Sequence, residues 1–403
     1  MASFQFAGTP ALYVGNGMIA KLADALPKGA RHILFVMGSF RLTNAKYWNK
    51  IVKMLSVNRI TYDIAHIRHE PTVEWVDAVV NRYRAQGSAN GRGDLPPLDA
   101  VVAIGGGSAL DAGKAVSAML CTEPGDTVLH YLEKQPAYRP PSGKKVFFVA
   151  IPTTSGTGSE TTKNAVIAIP GEYKRSIRHD RFIPNVAIVD ADLTISCPAS
   201  VKAASGLDAL TQLIESYVSI NASPITDALA LSGMKAVAKS LLAICTTAAE
   251  DANLHAQMAY AAMLSGITLA NAGLGLVHGL AGPLGGSFSI PHGVICGTLL
   301  AETTKRNIAF LRQEKSDKAA TALAKYGKVG SIITGHPESD LAGCLERLVE
   351  ILEQWTKRLQ IPRLGQFGVN AGNIGPIIAA ADNKQSPAIL DQSAMRDILL
   401  ARI

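Results

Sequence analysis

The chain has 403 residues, is 48% hydrophobic and 18% charged, and carries 39 Lys and Arg against 32 Asp and Glu. That is a globular composition, long enough for two domains and a large core. It contains no apolar run of membrane-spanning length and no Lys/Arg block, so neither a membrane nor a nucleic-acid partner is expected.

The N-terminus, MASFQFAGTPALYVGNG, lacks the basic and apolar regions of a signal peptide. The five cysteines are scattered and form no CxxC, which argues against a disulfide framework or a zinc knuckle and for a reducing cytoplasm. The net charge of +7 suits an anionic small-molecule partner. A strand-like segment lies within residues 1–15; it could pair with a second subunit, and a homo-oligomer, a dimer, is expected.

RHILFVMGS (31–39) reads as a short buried strand ending in glycine, followed by a helical pattern, NAKYWNKIVKML, and a second strand near ITYDIAHI. TVEWVDAVVNRYRAQ has helical spacing with Thr72 as its N-cap, and SANGRGDLPP is a polar loop. LDAVVAI is a strand that turns through GGGSALDAGKAVSAML into a helix; KKVFFVAIPTT and NVAIVD (185–190) are further strands. Such alternation implies a parallel, doubly wound sheet. From about Pro198 the chain reads as helices joined by short loops, to MRDILLARI at the end. The expected architecture is therefore an α/β Rossmann-like dinucleotide-binding domain over residues 1–195 and an all-α domain over 196–403.

Gly105, Gly106, Gly107 and Ser108 sit between a strand and a helix. Glycines allow close backbone approach, and a helix N-terminus offers free N–H groups to an anion, so this turn is a candidate pyrophosphate cradle. It is neither GxGxxG, because Leu110 holds the third glycine's place, nor a Walker A loop. Lys114, one turn on, is either solvated or adds charge near the phosphates. IPTTSGTGSETT (151–162) crowds hydroxyls around two glycines at a strand's carboxyl end, where open α/β sheets bind ligands.

Asp208 and Gln212 lie one turn apart on one helical face among apolar neighbours. In NAGLGLVHGLAGPLGGSFSIPHGVICGTLL (271–300), His278 lies in an apolar run and His292 follows Pro291 at a helix start. Buried imidazoles and a buried carboxylate need partners. Either these are core groups satisfied by protein, or they are the first shell of a transition metal.

IGGGSALDAGKA, PTTSGTGSE, GLDALTQLIESYVS and VHGLAGPLGGSFSIPHG, in this order, resemble the iron-containing (group III) alcohol dehydrogenases. The resemblance implies an N-terminal dinucleotide-binding domain, a helical C-terminal domain and a metal in the cleft, with Asp208, His278 and His292 as catalytic metal ligands. It also implies that Gly38, Ser39, Gly106, Gly107 and Ser108 meet the cofactor. Asp111, Thr153, Thr154, Thr157, Ser159 and Lys174 would line the rest of its cleft.

Three positions depart from the family pattern. Gln212 stands where a histidine ligand is usual, so either its amide oxygen binds Fe²⁺ (or Zn²⁺) weakly or water completes the shell. Gly282 replaces a second histidine, which removes a proton relay. Gly38 and Ser39 stand where NAD-preferring members place an aspartate, with Arg41 nearby, which favours NADP over NAD.

The reaction implied is hydride transfer between a nicotinamide and a small alcohol or aldehyde polarised by the metal. The alternative is a metal-independent reductase resembling maleylacetate reductase; a lyase resembling dehydroquinate synthase fits the motifs less well. Small residues at Gly279, Gly282, Gly285 and Gly286 suggest room for a substrate bulkier than ethanol.

Overall fold

The computed structural model describes residues 3–40, 44–84, 96–169, 173–337 and 340–403. Arg41 and most of the SANGRGDLPP segment lie outside them.

Six strands form one parallel sheet: β1 (Ala11–Gly15), β2 (His32–Met37), β3 (Thr61–His66), β4 (Ala100–Gly105), β5 (Phe147–Pro152) and β8 (Val186–Asp190), in the order β1-β8-β5-β4-β2-β3. β2, β4 and β8 are buried along their whole length, as expected of strands covered on both faces. Their side chains alternate between two cores: Ile33, Phe35 and Met37 enter one, while Leu34 and Val36 enter the other. The helices α2 (Ala45–Val57), α3 (Val73–Arg84) and α4 (Gly107–Met119) cover these faces after a short turn, α1 (Leu22–Ala25). Trp48, Ile51 and Leu55 give α2 one apolar stripe, and Thr72 Oγ1 caps α3 by accepting from the Trp75 N–H at 3.2 Å.

β2 continues outward to β3, whereas β4, on the other side of β2, continues the opposite way to β5. The strand order thus reverses between β2 and β4, and a crevice opens at their carboxyl ends. Two findings add to the sequence reading. The N-terminal strand pairs along one edge within its own chain, Ala11 with Val186 through Gly15 with Asp190. A further antiparallel pair, β6 (Asn164–Ile169) and β7 (Tyr173–Arg178), was not expected.

The remaining long elements are helical: α5 (Ala199–Val218), α6 (Pro224–Cys245), α7 (Ala252–Ala272), α8 (Leu276–Ser287), α9 (His292–Gln313), α10 (Asp317–Thr334), α11 (Leu341–Arg358), α12 (Gly375–Ala380) and α13 (Gln392–Leu400). They share one core containing Leu207, Leu210, Val237, Met258, Leu280 and Leu299. Against expectation, α6 is long and apolar enough to cross a membrane, its 22 residues containing an 18-residue stretch with a mean hydropathy of 1.5. It is nevertheless a core helix, packed on α5, α7 and α10 with Ala230, Met234, Val237 and Leu241 buried.

The two parts join tightly at the Ser/Thr loop. Gly158 adopts φ +62°, and a Cβ there would lie 2.5 Å from the backbone of Gly266 on α7. Thr161 Oγ1 donates to the Met263 carbonyl at 3.0 Å across the same contact.

Candidate metal centre and cofactor cleft

α5 delivers Asp208, α8 delivers His278, and α9 delivers His292 at its first residue, directly after Pro291 as its sequence suggests. α7 and α8 meet at 100°, which turns His278 in toward α5. Asp208 Oδ1 stands 3.4 Å from His278 Nε2 and 3.7 Å from His292 Nε2. Asp208 is 1% exposed, and this oxygen has no hydrogen bond of ordinary geometry. A buried carboxylate oxygen left so is costly unless a cation completes it.

Cys296, one turn after His292 on the same face of α9, is the fourth member of the group. Its Sγ lies 3.6 Å from both Nε2 atoms. Burial pushes its thiol up to about 12. Burial also raises the Asp208 carboxyl, but His292 and His278 outweigh it and hold the group below its usual range. Burial opposes the charge on His278; Cys296 and Glu215 overcome it and hold that imidazole well above its ordinary value.

Glu215, two turns after Asp208, accepts from His278 Nδ1 at 2.6 Å and from the Val277 N–H at 2.7 Å. This carboxylate turns His278 Nε2 toward Asp208 and sets its tautomer. One carboxylate oxygen, two imidazole nitrogens and a thiol suit a divalent transition metal. Gln212, one turn after Asp208, accepts from Ser265 Oγ through its Oε1 at 2.7 Å inside the helical core.

Beside this group lies a cleft of about 1510 Å³. Gly38, Ser39, Gly106, Gly107, Ser108, Thr153 and Lys174 line it, as do Pro291 and the preceding Gly286 to Ile290 stretch in part. The first amides of α4 have no carbonyl partner within the helix and form an anion-binding terminus. A Cβ at Gly107 would come within 2.7 Å of Thr157 Cγ2, so only glycine leaves the turn as it is. Lys174, carried in by β7, pairs with Glu70 at 2.6 Å, and both charges reach His292.

Four other expected cofactor residues stand behind the turn. Thr154 and Thr157 back Gly106 and Gly107. Asp111 accepts from Ser159 Oγ and from the Val166 N–H. Lys114 is neither solvated nor at the phosphate turn: its ammonium donates to the Ser159 carbonyl at 2.8 Å, to Thr162 Oγ1 at 2.9 Å and to the Asn164 carbonyl at 2.8 Å. Burial lowers it to about 8 and pushes its neighbour Glu160 up to about 7.

The small residues near the metal group do not all leave room. A Cβ at Gly279 would lie 1.8 Å from the Asp382 carbonyl oxygen, and one at Gly285 would lie 3.1 Å from Lys174 Nζ; Gly282 alone of these three faces open space.

Comparison with known proteins gives the family. The family model for iron-containing alcohol dehydrogenase matches residues 9–191, and that for the C-terminal part of the Fe-containing alcohol dehydrogenase family matches 202–401. The chain belongs to the iron-containing alcohol dehydrogenase family. It is 33% identical to long-chain-alcohol dehydrogenase 1 of Geobacillus thermodenitrificans, over 89% of this chain and 85% of that one. It is 31% identical to the NAD-dependent methanol dehydrogenase of Bacillus methanolicus, over 85% of this chain and 90% of that one. The fold matches that of an archaeal halo-thermophilic Red Sea brine pool alcohol dehydrogenase, with a TM-score of 0.86 at 22% identity and full coverage of both chains.

The sequence reading passed over Cys296, Glu215 and Glu70. Cys296 looks like one more apolar residue in VICGTLL, yet its i+4 offset from His292 places both on one face. Glu215 stands seven residues after Asp208, two turns along the same face.

Proposed function

We propose that this member of the iron-containing alcohol dehydrogenase family is a metal-dependent, NAD(P)-linked alcohol dehydrogenase and aldehyde reductase for a small alcohol or aldehyde. The buried, unsatisfied Asp208 Oδ1, faced by two imidazoles beside a glycine-floored cleft, carries this reading. Asp208, His278 and His292 would hold Fe²⁺ or Zn²⁺, and the first turn of α4 would hold the cofactor pyrophosphate. The bound groups supply Lewis-acid polarisation of a carbonyl oxygen and hydride exchange with a nicotinamide.

Around them the protein's own side chains orient and exclude. Glu215 keeps His278 Nε2 facing Asp208. Phe288 and Ile290 add apolar wall to the cleft. Lys174 and Glu70 line the cleft as an ion pair. Gly282 is exposed and bears no side chain, so protons exchange there with solvent. With no carboxylate at Gly38 or Ser39, the cleft favours NADP over NAD; a kcat/KM ratio favouring NADH would reverse that preference.

The division near residue 195 separates the cofactor-binding from the metal-binding domain. The outer edge of β1, with Leu12 and Val14 exposed, would serve a homodimer. Five free thiols suit a reducing cytoplasm. The decisive experiment is removal of metal by a chelator with aldehyde-dependent NADPH oxidation as readout. Activity should vanish and return with Fe²⁺ or Zn²⁺; full activity in stripped protein would leave the metal-independent reductase in its place.

A further inference from the structure

We infer that Cys296 is the fourth protein ligand of the metal, so that the centre is an Asp-His-His-Cys site with zinc preferred over ferrous iron. The inference rests on the metal reading above and adds a donor to it.

Three observations meet here. The Oε1 of Gln212 is already engaged as an acceptor by Ser265 on α7. The Cys296 sulfur is turned in, on the same helical face as His292 and equidistant from both imidazoles. The buried Oδ1 of Asp208, without an ordinary hydrogen bond, is aimed into the same space.

The spacing is that of a tetrahedral shell. Bonds of about 2.05 Å to nitrogen or oxygen and 2.3 Å to sulfur imply edges of about 3.4 Å between N or O donors and about 3.6 Å between N and S. The protein has 3.4 and 3.7 Å between Asp208 Oδ1 and the two Nε2 atoms, and 3.6 Å from Sγ to each. All four donor atoms lie within 4.8 Å of one another. A hydrogen-bonded thiol resting on one imidazole has no reason to stand equally far from two.

On coordination a sulfur–metal bond forms, the thiol proton leaves to solvent and no electrons are transferred. A thiolate in place of an imidazole or amide softens the site, which favours zinc.

The test uses the full-length protein, stripped of metal and loaded with Co²⁺. The inference expects an intense near-ultraviolet thiolate-to-cobalt band, lost in Cys296→Ser while the weaker visible bands remain. It also expects that variant to bind Zn²⁺ more than about tenfold less tightly, beyond what loss of an outer-shell partner costs at the low end. One cobalt bound per chain with no such band, or a band unchanged in Cys296→Ser, overturns the thiolate ligand and leaves the metal centre standing. No cobalt bound at all overturns the metal centre itself. X-ray absorption of the wild-type zinc protein gives the answer without a variant: a sulfur scatterer at about 2.3 Å supports the inference, and a shell of nitrogen and oxygen alone refutes it.

Discussion

Behind the glycine turn, Lys114 is fully hydrogen-bonded to Ser159, Thr162 and Asn164, and Asp111 to Ser159 and Val166. Across the cleft, Asp208 keeps an oxygen with no such partner, and the two imidazoles face it at 3.4 and 3.7 Å. Behind the turn these two buried charges are satisfied internally, and the turn itself offers a ligand backbone amides and shape. At the three-helix site Asp208 Oδ1 is left short of a partner that an ion would supply. Damage to the helical half should therefore remove chemistry, while damage to the sheet half should change stability or cofactor affinity.

The largest effect should follow His278→Ala. It removes a donor from the centre, and kcat/KM for an aldehyde should fall by about 10³-fold or more, the several kcal/mol that Lewis-acid help supplies. Metal content measured on the same sample should fall with it; full activity at unchanged metal content would erase the contrast drawn here.

Next in size is a pH effect confined to the sheet half. Burial raises Glu160 to about 7 from an ordinary value of 4.5, so the native state binds a proton there more tightly than the unfolded chain. The stability it contributes is complete below about 4.5 and is lost as pH rises through 7, on the order of 3 kcal/mol over the window. Urea midpoints should decline from pH 5 to 8 in the wild type and lose that component in Glu160→Gln. Equal declines in both proteins would show that the slope belongs to other groups. Lys114, lowered to about 8, acts in a separate window above that pH with the opposite slope.

Glu215→Gln should weaken metal binding by about 10–100-fold while the fold persists, because it unlocks the His278 tautomer without removing a donor. Competition with a chromogenic chelator measures this, and an unchanged affinity would make Glu215 a packing group only.

The smallest effect belongs to Gly107→Ala. Its new methyl meets Thr157, and relief by local shift should cost about 1–2 kcal/mol of cofactor affinity, roughly tenfold in the Kd for NADPH, with metal content unaffected. Unaltered NADPH binding would remove the turn from the cofactor site.

The sequence was legible where signals are local. β2, β4, β5 and β8 are continuous apolar runs punctuated by Gly, Pro or Asp, and Pro291 marks the start of α9. Thr72 caps α3 within three residues. What stayed hidden depends on distant partners. β1 finds β8 about 175 residues away, a pairing no local pattern encodes. β7, YKRSIR, is a polar strand with one fully buried side chain, Ile177, and gives almost no period-two signal. Gln212 could be placed beside Asp208 by helical spacing, but its hydrogen bond with Ser265, 53 residues on, could not be read. The hydroxyls of Ser159 and Thr162 suggested ligand contacts; their hydrogen bonds to α4 emerge only when helix and loop pack.

The central claim is that carboxylate and imidazoles from three helices converge on one ion at the edge of the cleft. An anomalous difference map from a crystal of the metal-loaded protein, collected at the absorption edge of that metal, tests it directly. A single peak about 2.0–2.2 Å from Asp208 Oδ1 and from the Nε2 atoms of His278 and His292 is the expected result. A fully active, metal-loaded crystal with its peak elsewhere, or with none, would contradict it.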